Sequence, residues 1–344
     1  DRETLERESD IKSDGLSILK AIEAESGIIT QCAQNLYSFA YLPFQEYYTA
    51  CDIISSVAAD DKKPIGAILA NAYNDRWREV ILLAACKLKN ADVFFKTLLE
   101  NLCTLIRNKE ELTGFLKWVE KKARSIDSSY DKIAVRAFYA DLALDLGPDL
   151  DPTPGRVHTL IRALDSDLAR DCALDRSTYL SIDRDMALDY ALYLALEWAL
   201  TLYHASAWIL YNRRSTQRTS KLDSPSDRHH SIKQRLRRNL DHDLKLAVGY
   251  AEDLDLDSLH KELAHLEMPA WPATARNWQS FTEKLQYLML KHRDIGKNWD
   301  FRGEQTENLK RYFNVASLSV QCLNISQVTA PETYKEHLFC PSKL

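Results

Sequence analysis

The chain has 344 residues, of which 45% are hydrophobic, and a formal net charge of −5, so it can form two or three packed units of a soluble protein. Nine Gly and ten Pro are few for the many turns of an all-β protein, and a mainly α fold is therefore predicted. Seven cysteines without a Cys-x-x-Cys pair exclude a disulfide scaffold and indicate reduced thiols in the cytoplasm.

The first part of the chain predicts a helix, a hairpin and a second helix. Residues 15–25 have helical periodicity, and two short strands are predicted at 28–30 and 36–39. Residues 44–57 predict a helix, because Pro43 suits its first turn. Since a helix followed by a hairpin is typical of the end of a winged-helix domain, we expect a winged-helix remnant here.

Helical patterns continue through the middle of the chain. One amphipathic helix follows Asp75, which is placed to cap it, and a second spans Phe95–Ile106. Leu-Asp pairs recur over residues 127–200, which predicts stacked helices that bury leucine and carry Asp and Arg on their outer faces. This pattern is typical of a solenoid-like helical array.

The most apolar stretch, residues 186–211, predicts a central buried helix. Asp189, Glu197 and His204 interrupt it, and its charge-free part is shorter than the ~20 residues that a membrane span requires. The charged first residues carry no apolar export signal. We therefore expect a cytoplasmic location and no membrane partner.

A basic segment, residues 213–238, follows this apolar stretch. Its first half predicts an exposed loop, and its second half opens a helix that ends near Tyr250. A boundary is predicted at residues 268–272, followed by helices at 277–292 and 305–322.

Two pairs of motifs resemble the carboxyl half of NACHT ATPases, the bacterial relatives of the NOD-like receptors. YSFAYLPFQEYYTA (Tyr37–Ala50) is similar to a winged-helix motif of that family, Phe-Ser-His-Leu-Thr-Phe-Gln-Glu-Tyr, and NDRWREV (Asn74–Val80) is similar to a segment that follows it. RDIGKNWDF (Arg293–Phe301) and LKRYFNVASLSVQCLN (Leu309–Asn324) resemble a carboxyl-terminal module found after cyanobacterial NACHT proteins.

The resemblance implies a domain order. It places a partial winged helix at 1–60 and helical hairpins at 61–126. A Leu/Asp-rich sensor array follows at 127–268, with the basic insertion 213–238, and a small NACHT-associated helical domain ends the chain at 269–344.

The resemblance also implies a role in signalling. A nucleotide-binding NACHT domain of a STAND NTPase would precede residue 1, and these helices would hold it closed until a target protein or nucleic acid is sensed. Release would then drive homo-oligomerisation. ATP or ADP and Mg would be cofactors of that full-length protein, and defence against phage is the implied biological role.

Two departures from the family pattern concern the nucleotide. The winged-helix His that can contact the phosphates falls at Tyr41, so this residue is nucleotide-proximal by resemblance alone. No Walker A motif, Gly-x-x-x-x-Gly-Lys-Ser/Thr, occurs in the chain, so the backbone cradle for the phosphates is missing. We expect this chain to have no ATPase activity, no catalytic residue, no cofactor and no metal site.

The same resemblance selects candidate contacts to the ATPase domain, which are Gln45, Glu46, Tyr47, Trp77 and Arg78. The alternative is structural, with first-turn polar residues, a core tryptophan and solvated charges. Phe39 and Phe44 are expected in the core.

The basic segment supplies a candidate patch for nucleic acid or a protein partner, comprising Arg213, Arg214, Arg218, Arg235, Arg237 and Arg238. Clustered cations bind phosphates with release of counterions, but the few aromatic residues here favour a solvated loop or a protein contact.

Other functions remain open at this point. The chain could be a free-standing helical scaffold that binds protein or nucleic acid. A helical ribonuclease would use Arg237 and His242. The spacing of these two residues also arises by chance. Cys322, His337 and Cys340 lack a fourth zinc ligand, and the apolar neighbours of Cys322 predict a buried thiol.

Overall fold

The computed structural model is mainly helical, which confirms the predicted fold class and is consistent with a solenoid-like array. The structure describes residues 15–58, 66, 69–107, 109–144, 164–165, 167–168, 182–215 and 225–338. The chain divides into two compact units. The first comprises Asp1–Thr104 and Asn314–Tyr334, and the second comprises Leu105–Phe313 and Lys335–Leu344. The four-part division inferred from the sequence stays a prediction.

The first unit contains a two-stranded sheet among its helices. In chain order its elements are α1 (residues 15–26), β1 (Ile29–Ala33), β2 (Leu36–Phe39), α2 (Leu42–Ala58), a 3₁₀ turn (Asp75–Trp77), α3 (Arg78–Lys87) and α4 (Asp92–Ile106).

The predicted hairpin is confirmed. β1 and β2 pair antiparallel, with Ile29 opposite Phe39 and Gln31 opposite Tyr37. The turn between them holds Asn35 at a φ of 58°, a left-handed conformation that Asn tolerates because its short polar side chain can bond locally. The order helix, hairpin, helix is therefore as predicted, and its membership of a winged-helix domain stays a prediction.

Helix α2 packs against α3, and their junction differs in one detail from expectation. Ala50 and Ile53 of α2 are fully or almost fully buried. Asp75 was expected to cap the helix that follows, but α3 begins at Arg78, with Trp77 at its N-cap and no side-chain hydrogen bond there. Asn74 caps the preceding 3₁₀ turn instead, because its side chain accepts a hydrogen bond from the backbone N–H of Arg76. Asp75 is the first residue of that 3₁₀ turn, so it lies three residues before the start of α3.

Every element of secondary structure among the described residues of the second unit is a helix. They are α5 (Glu110–Ser125), α6 (Lys132–Leu144), α7 (Arg184–Ser215), α8 (Pro225–Asp253), α9 (Asp257–Ala264), α10 (Ala275–Arg293), α11 (Glu304–Ile325) and α12 (Pro331–His337). Helix α11 enters the first unit at Asn314, and α12 lies mostly there.

Helix α7 is the central buried helix that residues 186–211 predicted. It packs against α8 and α10, and its residues Ala191, Leu192 and Ala195 are fully buried. In the described part of the chain, no helix combines the length and apolarity needed to cross a membrane.

The helices after the predicted boundary are also confirmed. Helix α10 begins with a reciprocal capping box between Thr274 and Asn277, which satisfies backbone N–H groups of its first turn. It ends at Asp294, which has a left-handed φ of 55°. The Leu174-Asp175 pair of the predicted array lies outside the described residues.

Candidate functional site

Large apolar side chains are exposed where α2 begins. The exposed fraction is 68% for Tyr41, 64% for Leu42 and 45% for Tyr48. Tyr47 and Phe44 are exposed as well. Contiguous apolar groups on the surface of a soluble protein mark sites of interaction. We refer to these five residues as the aromatic surface.

The rings of the aromatic surface hold one another in place. Tyr41 and Phe44 meet edge to face with their centroids 6.1 Å apart, and Tyr47 meets Tyr48 in the same way at 5.5 Å. The ammonium of Lys87 lies 4.6 Å from the centroid of Tyr47. Rings that are already fixed lose little side-chain entropy when a partner binds, which favours binding.

The direction of α2 explains why these rings remain exposed. Ala50 and Ile53 lie on the face that packs against α3, whereas Phe44 and Tyr48, four residues apart, lie on another face. The expectation that Phe44 fills the core is therefore wrong, since it is 36% exposed. Phe39 is half-buried and stacks on Tyr48 with a centroid distance of 5.8 Å.

The other candidate contacts of the amino-terminal region occupy different environments. Gln45 is exposed and Glu46 is half-buried. Trp77 and Arg78 are both half-buried, so neither a core tryptophan nor a solvated arginine is observed. Arg78 donates a hydrogen bond to the side-chain oxygen of Gln321 on α11, within the first unit. Arg78 therefore has a structural role in holding α3 to α11.

The second unit contains a buried group of charged side chains that the sequence did not predict. Helices α5, α6, α7 and α10 contribute to it, and we call it the charge cluster. Its members are Lys122, Tyr139, Asp185, Asp189 and Arg293.

Asp189 is the centre of the charge cluster. Its carboxylate is completely buried and accepts hydrogen bonds from Arg293 Nε at 2.6 Å, Lys122 Nζ at 2.8 Å and the Tyr139 hydroxyl at 2.8 Å. The guanidinium of Arg293 also bonds the Asp185 carboxylate at 2.7 Å. Two cations and two carboxylates thus balance in charge, which a buried ionic group requires.

The protonation equilibria of the charge cluster reflect its burial. Burial lowers the pKa of Lys122, and the attraction of Asp189 offsets part of this effect. Burial and the Asp189 carboxylate together raise the pKa of Tyr139 well above its usual value. For Arg293, burial lowers the pKa, but the two aspartates outweigh it and raise the pKa overall. Because its pKa is raised, the Tyr139 phenol stays neutral at neutral pH and can donate its proton to the hydrogen bond with Asp189.

The charge cluster corrects the interpretation of the Leu-Asp pairs. Asp189 of the Leu188-Asp189 pair was expected on an outer face, yet it is the most buried carboxylate of the cluster. One signal was present in the sequence, because Asp185 and Asp189 are four residues apart and share one face of α7. Their partner Arg293 lies 104 residues from Asp189 and gives no local signal.

The structure divides the basic segment between two helices. Arg213 and Arg214 lie within α7 rather than in the expected loop, because that helix continues to Ser215. Arg218 falls outside the described residues. Arg235 and Arg238 are exposed on α8 and Arg237 is half-buried, so the helix predicted for the second half of the segment is confirmed.

The remaining candidates are the Arg237–His242 pair and the three possible zinc ligands, of which Cys340 lies outside the described residues. Arg237 and His242 lie on different faces of α8, since five residues correspond to about 140° of helix rotation. His242 Nδ1 is 3.0 Å from the Asp243 carboxylate. Cys322 is buried, as its neighbours predicted, and burial raises the pKa of its thiol to about 12. Within the described residues, no three His, Cys, Asp or Glu side chains group to hold a metal ion.

These features define a helical protein with an exposed aromatic surface and a buried charge cluster. Among protein families, residues 254–341 match the NACHT C-terminal Helical domain 2. The chain therefore includes a NACHT-associated carboxyl-terminal region. Comparisons with curated proteins and with solved structures give no significant match.

Proposed function

We propose that the chain is the target-sensing, autoregulatory carboxyl-terminal region of a NACHT-type signalling ATPase. The match of residues 254–341 to a NACHT-associated helical domain is the observation that carries this proposal. The helical array and the aromatic surface support it, because a regulatory region needs both a scaffold for target recognition and a surface that contacts the ATPase.

In this proposal the aromatic surface binds the ATPase domain that precedes residue 1 in the full-length protein. Tyr41 and Leu42 are more than 60% exposed, so a partner can remove most of their area from water. ATP or ADP with Mg binds the ATPase domain, and the chain controls its nucleotide-dependent homo-oligomerisation. Defence against phage is the proposed biological setting, in a bacterial cytoplasm.

The direct test is co-expression of this chain with the polypeptide encoded immediately upstream. The complex is sized in the presence of ADP and then of ATP. We expect association that depends on the nucleotide. A stable monomer that binds the upstream polypeptide neither with ADP nor with ATP would refute the proposal. It would support a free-standing helical binding scaffold.

Surface variants identify the contact. Burying the exposed parts of Tyr41 and Leu42 is worth about 2–4 kcal/mol in total, so Tyr41→Ser with Leu42→Ser should weaken association at least roughly 30-fold. Tyr287→Ser is the matched control, because Tyr287 is 61% exposed on α10 in the second unit. Equal weakening by both variants would exclude a specific role of the aromatic surface.

A further inference from the structure

The segment between α10 and α11 has neither helix nor strand, although part of it is buried. We call residues 294–301 the strap. Ile295, Gly296 and Phe301 are buried, whereas Lys297, Asn298 and Asp300 are exposed. The strap therefore has one side in the core of the second unit and the other in solvent.

Side chains of neighbouring helices hold the backbone of the strap. The carbonyl of Asp294 accepts a hydrogen bond of 2.7 Å from Trp118 Nε1 on α5. The carbonyl of Gly296 accepts one of 2.6 Å from the Gln286 amide on α10. Besides the bonds that end α10, the strap has one backbone hydrogen bond of its own, from the Phe301 N–H to the Trp299 carbonyl at 2.8 Å. The side-chain contacts therefore take the place of most of the backbone ladder that a helix or strand would have.

Aromatic packing joins the strap to α5. The ring of Trp299 meets that of Phe115 at 5.2 Å and that of Trp118 at 5.7 Å, and Phe301 meets Phe115 at 5.5 Å. The ammonium of Lys297 lies 4.0 Å from the centroid of Trp299 on the strap itself. The strap thus covers the aromatic face of α5.

The charge cluster secures the base of the strap. Lys122 Nζ bonds both the Asp189 carboxylate at 2.8 Å and the backbone carbonyl of Arg293 at 2.7 Å. Arg293 is the last residue before the strap, and its guanidinium binds Asp189 and Asp185. Lys122 therefore fixes both the buried Asp189 carboxylate and the point where the strap leaves α10.

We propose that the strap is a mobile segment that opens as a unit. In the closed state it is held by the charge cluster. Opening releases Trp299 and Phe301 and exposes Phe115 and Trp118, while the surrounding helices persist. The physical reason is that a segment held by side chains opens at a lower free energy than a helical core with its own backbone ladder. The inference rests on the second unit alone and does not depend on the proposed function.

The test is amide hydrogen exchange of the intact chain, followed by mass spectrometry. Trp118→Phe keeps an aromatic ring against Phe115 but removes the donor to Asp294. It should speed exchange of the strap amides about 2- to 10-fold, as expected for the loss of one hydrogen bond. Exchange in α7 and α8 should not change.

Arg293→Met removes the charged contact that holds the strap closed. It should speed exchange in the strap by roughly 100-fold or more, because the buried Asp189 and the half-buried Asp185 lose a partner. Arg276→Met is the matched control, since Arg276 is exposed on the same helix, and it should exchange as the wild type does. If Arg293→Met fails to fold, Trp118→Phe decides. Unchanged strap exchange in Trp118→Phe, or equal acceleration in the strap and α7, would overturn the proposal.

Discussion

Replacing Tyr139 with Phe removes one hydroxyl from the centre of the second unit and leaves the ring in place. Tyr139 is completely buried, and its hydroxyl donates to Asp189, which is also completely buried. A hydrogen bond to a charged group contributes about 1.5–3 kcal/mol. We expect Tyr139→Phe to lower the free energy of unfolding by about 2 kcal/mol, because Asp189 keeps Lys122 and Arg293 as partners but loses its third donor.

Chemical denaturation at pH 7, monitored by circular dichroism, measures this change. For a unit of this size about 2 kcal/mol corresponds to a fall in Tm of roughly 4–8 °C. Tyr287→Phe serves as the control, because the Tyr287 side chain is 61% exposed and removal of its hydroxyl should leave stability unaltered. A Tyr139→Phe variant as stable as the wild type would show that the buried carboxylate does not depend on this hydroxyl.

Alkaline pH supplies a second check on Tyr139. The pKa of its hydroxyl is raised in the folded protein above the ordinary value of 10.0. The stabilisation is therefore fully present below pH 10 and is lost as pH rises through the folded pKa. Phenylalanine at position 139 has no ionisable group. The stability difference between wild type and Tyr139→Phe should therefore shrink above about pH 10. A constant difference from pH 7 to pH 11 would contradict the assigned contact.

Two further predictions concern single side chains. Burial raises the pKa of Cys322 from 9.0 to about 12, so its stabilisation is present below pH 9 and is lost as pH rises. Denaturation at pH 8 and pH 11 should therefore show a smaller pH dependence for Cys322→Val than for wild type, by up to about 2.5 kcal/mol. Thr274→Ala removes the capping box of α10 and should lower the free energy of unfolding by about 1 kcal/mol, whereas Ser280→Ala on the exposed part of that helix should not. Equal stability of Thr274→Ala and Ser280→Ala would contradict the observed cap.

The sequence predicted most helices because their signal is local. The apolar stripes of α3, α4 and α10 repeat at helical spacing, and the hairpin follows from two short apolar strands around a polar turn. Such patterns depend on residues a few positions apart, so they can be recognised before the chain is folded.

The charge cluster shows why the rest could not be predicted. Tyr139 and Arg293 lie 50 and 104 residues from Asp189, and no local pattern joins them. An Asp on an apolar helix is normally expected to face solvent. Burial of Asp189 is favourable because three donors that are distant in the sequence bond its carboxylate. The burial of Phe44 was predicted wrongly for the opposite reason. Phenylalanine is usually a core residue, but Phe44 lies on the face of α2 that is turned away from α3.

Arg293 belongs to the segment that matches the NACHT-associated domain, but Lys122, Asp185 and Asp189 precede that segment. A chimera joined at residue 254 would separate the guanidinium from its counter-charges. Transfer of residues 254–341 into another helical protein would keep the Arg293 contacts only if that protein supplied acidic residues at the positions of Asp185 and Asp189. The structural unit that surrounds Arg293 is thus larger than the segment that sequence similarity recognises, residues 254–341.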